Sequence, residues 1–108
     1  MIGRRIQIVP RNGEQLYSLL VKKEIELRRR NTGTFRRAAG KQKNRTKWMH
    51  ASYPGWIKMQ RTIGGGIAAE IGTKGKAGGE WQIIHAFLGF VDRHFADHVE
   101  SVNIQYVL

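Results

Sequence analysis

The stretch from Trp56 to Thr73 reads WIKMQRTIGGGIAAEIGT and predicts a β-hairpin. Ile57 and Met59 alternate with polar or basic residues before the three glycines, and the same alternation runs from Ile67 to Ile71 after them. Strict alternation is the pattern of a strand with one buried face, and consecutive glycines are typical of a turn. We therefore expect two antiparallel strands whose apolar side chains point to one side.

Four further segments flank this hairpin. Alternation predicts strands over Arg4–Val9 and Val99–Leu108, and apolar residues at helical spacing predict helices over Glu14–Arg30 and Glu80–His98. The chain of 108 residues is then a single α+β domain (1–108) with the order β-α-(basic arm)-β-β-α-β.

That order is compatible with a ferredoxin-like two-layer sandwich, in which two helices cover one side of a four-stranded antiparallel sheet. The alternative is a ββαβ core, with the N-terminal strand and helix docked separately or exchanged with a neighbouring copy.

Positive charge is concentrated in one quarter of the chain. The segment 22–47 holds eleven lysines and arginines against Glu24 and Glu26, so it supplies +9 of the formal net charge of +11. From Thr34 to Lys47 the chain is almost without apolar periodicity, which predicts a mobile basic arm over about 31–47. Such a cluster attracts polyanions and repels itself when nothing is bound.

This charge predicts nucleic-acid binding through the arm. It does not distinguish DNA from RNA. Trp48 and Trp56 are candidates for stacking on unpaired bases, and the alternation places Trp56, Lys58 and Gln60 on the side of their strand away from the core. The alternative for each tryptophan is packing inside the protein or against a second subunit. The candidate nucleic-acid-binding residues are Arg28, Arg29, Arg30, Arg36, Arg37, Lys41, Lys43, Arg45, Lys47, Trp48, Trp56 and Lys58.

A second function class is a protein-interaction module, antitoxin-like or immunity-like, that binds an acidic protein. Ile83, Phe87 and Phe90 widen the apolar surface of the second helix beyond a narrow stripe, which indicates that the helix is packed on more than one side or contributes to an interface. Both function classes leave a homodimer open.

Catalytic, metal and cofactor sites find no support in the motifs. His94 and His98 have the spacing of two ligands on a helix but lack a third. The glycine-rich turns lack the lysine and hydroxyl residue of a phosphate-binding loop, and the serines lack a nucleophile turn. We therefore assign no catalytic residue, metal or cofactor, and favour a binding protein over an enzyme.

The cellular location follows from what the sequence lacks. There is no cysteine, and no uncharged stretch approaches the length of a membrane span. The N-terminal residues have no apolar segment of the kind found in a secretion signal. We expect a cytoplasmic protein with no membrane association.

Several stretches of the second half resemble small uncharacterised bacterial proteins carried on integron gene cassettes and other mobile elements. The resemblance rests on Trp48, on Tyr53-Pro54-Gly55-Trp56-Ile57, on the run from Ala86 to Phe95 and on Asn103-Ile104-Gln105-Tyr106. It implies a bacterial cytoplasmic origin and an accessory role, and it assigns no functional residue.

Overall fold

The computed structural model describes residues 2–38, 44–74 and 79–106. They form one α+β unit, in which a six-stranded sheet has the order β2-β3-β4-β5-β1-β6 and every neighbouring pair is antiparallel. The strands are β1 (Ile2–Pro10), β2 (Phe35–Arg37), β3 (Arg45–His50), β4 (Trp56–Arg61), β5 (Ile67–Gly72) and β6 (Val99–Tyr106), and the helices are α1 (Leu16–Arg29) and α2 (Glu80–Phe95).

The hairpin of β4 and β5 is confirmed. Ile57 lies opposite Ile71 and Met59 lies opposite Ala69, and all four side chains are buried. The turn between the strands depends on glycine, because a Cβ at Gly66 would collide with the carbonyl oxygen of Ile8 in β1.

Both helices cover the same side of the sheet. Tyr17 of α1 packs under Arg61 of β4, and Phe87 of α2 contacts Trp48 of β3. Along each central strand the side chains on the helix side are buried, whereas those on the other side are mostly exposed. The protein therefore has two layers and one core between them. Within the described residues, neither helix has the length and apolarity needed to cross a membrane.

The position of β1 contradicts one part of the alternative fold, the separate docking of the N-terminal strand. β1 lies inside the sheet and pairs with β5 on one side and with β6 on the other. Ile6 and Ile8, at its centre, are almost completely buried. The N-terminal strand is therefore an integral part of the core and is not docked separately.

The basic arm contains two strands that the sequence did not predict. β2 pairs with β3, placing Phe35 opposite His50 and Arg37 opposite Trp48, so residues 35–37 and 45–47 of the predicted arm belong to strands. Phe35 explains why this segment is ordered on the sheet. Its ring centroid lies 6.2 Å from that of Phe87, and this packing holds the short segment on the core. Residues 39–43 lie outside the described part of the chain.

Candidate nucleic-acid interface

The side of the sheet that carries no helix is called the open face below. Side chains alternate between the two sides of a strand. The register therefore places five basic residues on this face, together with the acidic residue Glu70. The basic residues are Arg5, Arg36, Arg45, Lys47 and Lys58. They come from four different strands, so folding brings Arg5 and Lys58 to the same face as three residues of the basic arm.

One row of charged side chains crosses the middle of the open face. Lys47 in β3 lies opposite Lys58 in β4, Lys58 lies opposite Glu70 in β5, and Glu70 lies opposite Arg5 in β1. Three strand spacings make this row about 14 Å long. Arg5 Nε lies 3.7 Å from Glu70 Oε1, so Glu70 has its closest ion pair with the arginine. The two lysines are direct cross-strand neighbours of like charge.

A second row, parallel to the first, is rich in amides. It runs from Arg45 through Gln60 and Ala68 to Gln7, and its side chains apart from Ala68 are exposed. Both rows line a groove of about 510 Å³, and Ala68, the smallest side chain of the second row, is part of its lining. The groove is thus bordered by cations and contains groups that can both donate and accept hydrogen bonds.

Trp56 lies beside the charged row on the open face. Its indole is half-buried, and Lys47 Nζ lies 5.6 Å from the ring centroid. Its Nε1 is buried and has no hydrogen-bond partner within the described part of the chain. The aromatic ring that the sequence nominated for stacking is therefore on the basic surface, with a lysine ammonium over it.

Trp48, the other tryptophan predicted to stack on a base, does not lie on the open face. Its side chain is 0% exposed and makes edge contacts with Phe87 and Phe90 of α2 at centroid distances of 6.2 and 5.4 Å. The alternation of β3 explains this, because Trp48 and Lys47 point to opposite sides of the sheet. Trp48 is a core residue, as the alternative interpretation had it, and cannot stack on a base in this conformation.

Four other candidate arginines lie on the helix side of the sheet. Arg28, Arg29 and Arg30 lie at the C-terminal end of α1, where Arg28 pairs with Glu24 at 3.6 Å and Arg30 pairs with Glu26 at 3.2 Å. Arg37 shares the helix side with its register partner Trp48. Lys41 and Lys43 lie outside the described residues. Of the predicted set, the open face unites Arg45, Lys47, Trp56 and Lys58. The register adds Arg36 at the edge of this face, where its Nη2 donates a hydrogen bond to Asn31 Oδ1 at 3.4 Å.

Arg5 and Gln7 were not among the candidates that the sequence indicated, whereas Gln60 was named with Trp56 and Lys58. The alternation of Arg5 and Gln7 with Ile6 and Ile8 does show that they point away from the core. It does not show which strands lie beside β1. Only the sheet order places Arg5 in the same row as Lys58.

The apolar surface of α2 is used inside the protein. Ile83, Phe87 and Phe90 are buried against the sheet. These side chains complete the core, so packing inside the protein accounts for this apolar surface.

His94 and His98 do not lie on the same helix. α2 ends at Phe95, so His98 lies in a separate 3₁₀ turn, where its Nδ1 is 2.8 Å from Glu14 Oε2. His94 packs against Phe90, and its pKa is lowered by burial and by the nearby cations Lys23 and Arg93. In the part of the chain that the structure describes, no three potential ligands are grouped around a metal position.

Comparisons with protein families, curated proteins and solved structures gave no match to this chain. The resemblance to integron-cassette proteins stays a prediction. The case for function therefore rests on the geometry of the open face.

Proposed function

We propose that this protein binds nucleic acid through the open face, with Arg5, Arg36, Arg45, Lys47 and Lys58 contacting phosphates. The observation that supports this most is the pairing of Lys47 with Lys58 directly across two strands. Like charges in this position destabilise a sheet. A bound phosphate would neutralise both of them, so the arrangement favours an anionic ligand.

A polyanion fits this surface better than a single small anion. The basic side chains are spread over several strands and border an open groove, whereas a small anion is usually held in an enclosed pocket. The amides of Gln7 and Gln60 can form hydrogen bonds with the bases, while the cations position the phosphate backbone of the nucleic acid.

Unpaired nucleic acid suits the face better than duplex. A sheet that presents an aromatic ring among cations is a stacking platform, and such platforms bind bases that are free of a partner strand. Trp56 is the residue that would stack, and Lys47 would move from the ring to a phosphate as the base arrives.

The test compares two variants that lose the same charge on opposite sides of the sheet. The open-face variant is Arg45→Gln/Lys47→Gln/Lys58→Gln, and the control is Lys22→Gln/Arg29→Gln/Arg30→Gln, whose three positions are exposed on α1 and at its C-terminal end. Binding of labelled single-stranded and duplex DNA and RNA is measured by fluorescence anisotropy over a salt series, with protein freed of bound nucleic acid.

The expected result is a loss of affinity in the open-face variant and a salt slope for single strands that is shallower by about 2, because three phosphate contacts are lost. The control variant keeps most of the slope. An equal loss in both variants would show that net charge alone causes the binding, and the proposal would then be rejected.

We also propose that β1, β4, β5 and β6 form a ferredoxin-like sandwich with the two helices, enlarged by the hairpin of β2 and β3. The order β4-β5-β1-β6 supports this. The chain passes from β1 through α1, β2 and β3 to β4, which lies on the far side of β5. It then passes from β5 through α2 to β6, on the far side of β1, and apart from the inserted β2 and β3 this is the split βαβ arrangement. Cross-strand NMR contacts of β1 with both β5 and β6 test this order, and contacts between β4 and β6 would exclude it.

A further inference from the structure

The strand β6 has an unpaired edge. It pairs with β1 through residues from Val99 to Tyr106, and no other strand of the described residues pairs with its opposite side. The outward-facing N–H and C=O groups of an edge strand are a template for pairing with another chain. β6 is eight residues long, which is enough for a full set of such bonds.

The two edges of the sheet differ in the features that prevent such pairing. β2, at the other edge, has three residues, of which Arg36 and Arg37 are charged. β6 reads VESVNIQY and contains no lysine, arginine or proline. Short length and charge are the usual protection of an edge strand. The protein therefore protects one edge and leaves the other open to pairing.

Apolar side chains accompany the open edge. On the helix side of β6, Val102 is 41% exposed and Tyr106 is 66% exposed, while Ile104 between them is partly buried. These three side chains lie at the border of the core and are partly exposed to solvent in the single chain. Pairing along β6 would cover it.

We propose that β6 is the interface for a second copy of this chain, which pairs antiparallel to it across a twofold axis perpendicular to the sheet. Charge permits this contact at β6 and opposes it elsewhere. Two copies that each carry +11 repel one another, but β6 has no lysine or arginine and Glu100 is its one charged residue, so pairing along it brings no cations of the two strands together.

The sequence of β6 is also compatible with self-pairing. A twofold axis at Asn103 places Val102 opposite Ile104 of the second copy, so the partly exposed apolar side chains meet on the helix side. The exposed polar side chains of Ser101, Asn103 and Gln105 lie together on the open face. An isologous contact of this kind closes at two copies.

The resulting dimer has one continuous sheet of two six-stranded halves, with all helices on one side and both open faces on the other. This inference does not depend on the proposed function, because it rests on the edge and its charge. Where both hold, the two basic faces form one surface and a long nucleic acid can contact both copies, which raises its apparent affinity.

The oligomeric state is measured by sedimentation velocity over a range of concentrations, on protein freed of nucleic acid. The disrupting variant is Val102→Lys, and its matched control is Val9→Lys, a valine with 43% exposure on the open face of the central strand β1. We expect a dimer in the unmodified protein and in the control, and at least a tenfold higher dissociation constant in Val102→Lys, with thermal unfolding showing that both variants fold.

A second readout identifies the contact without depending on stability. Because the chain has no cysteine, single cysteines at each position from 101 to 105 can be tested for disulfide formation between copies. A twofold pair of strands brings one position opposite itself, at a Cα distance within the range of a disulfide. A monomer at all concentrations, or a dimer that Val102→Lys leaves intact and that no cysteine crosslinks, would overturn the proposal.

Discussion

The carboxylate of Glu24, in α1, accepts a hydrogen bond from the backbone N–H of Arg37, in β2, at a distance of 2.9 Å. Glu24 is 2% exposed, and its second oxygen lies 3.6 Å from Arg28 Nε. A buried carboxylate is stable in a protein when it is paired and hydrogen-bonded. This contact therefore joins the helix layer to the short edge strand that carries Arg36 onto the open face.

Replacement of this carboxylate should destabilise the protein. We expect Glu24→Ala to lower the free energy of unfolding by about 1–3 kcal/mol, because it leaves a backbone donor without its acceptor and removes the partner of Arg28. Urea denaturation followed by circular dichroism measures the change. The control is Glu26→Ala on the same helix, whose more exposed ion pairs with Lys23 and Arg30 are worth at most about 1 kcal/mol. Equal losses in the two variants would contradict a special role for Glu24.

The two tryptophans of neighbouring strands should respond differently to a ligand. We expect single-stranded nucleic acid to quench tryptophan fluorescence in Trp48→Phe, because Trp56 remains on the open face. In Trp56→Phe the quenching should disappear, since Trp48 is buried under α2. Trp81 remains in both variants and provides a constant background. Quenching that survives in Trp56→Phe would place the ligand elsewhere.

Truncation to alanine should lower the free energy of unfolding more at Trp48 than at Trp56. Trp48→Ala removes a completely buried ring and should cost about 3–5 kcal/mol of unfolding free energy. Trp56→Ala should cost less, since its ring is only half-buried. Chemical denaturation of both variants checks this ranking, and a larger cost for Trp56→Ala would show that its ring is mainly structural.

The sequence predicted the parts of the fold that depend on local periodicity. Ile57 and Met59 alternate clearly enough to define β4, and α2 was recognised from apolar residues at helical spacing. β2 could not be predicted, because three residues with Phe35 as their only hydrophobe contain no period.

The candidate site depends on contacts that are distant in sequence. Lys58 belongs to a predicted strand, but its neighbours Lys47 and Glu70 are set by register, and Arg5 joins them only because β1 lies beside β5. The charge count in the arm indicated an anionic partner. It could not show that β3 sends Lys47 to the open face and Trp48 to the core.

Glu70 should limit the affinity of the open face for nucleic acid. It lies between Lys58 and Arg5 in the charged row, where its carboxylate repels phosphate and competes for the arginine. We expect Glu70→Gln to bind single strands several-fold more tightly at low salt. The control is Asp92→Asn, an exposed carboxylate on α2 that gives the same change in net charge. Equal gains in both variants would contradict a local effect.

Acid should destabilise the protein through His50 and His94. Burial lowers the pKa of His50, and its Nδ1 accepts hydrogen bonds from the backbone N–H groups of Ser52 and Tyr53 at 2.9 and 3.2 Å, which requires an unprotonated nitrogen. Burial also lowers the pKa of His94. Because both folded pKa values lie below the unfolded value of 6.5, the unfolded chain takes up protons first as pH falls.

The stability supplied by these two histidines is therefore complete above pH 6.5 and decreases as the pH falls from 6.5 toward the folded pKa values. Urea midpoints at pH 8, 7, 6 and 5 should be constant between the first two and lower at the last two. In His50→Gln the drop should be smaller, because that position no longer titrates. NMR titration of the imidazole protons assigns the effect, and a folded pKa of His50 above 6.5 would reverse the expected sign.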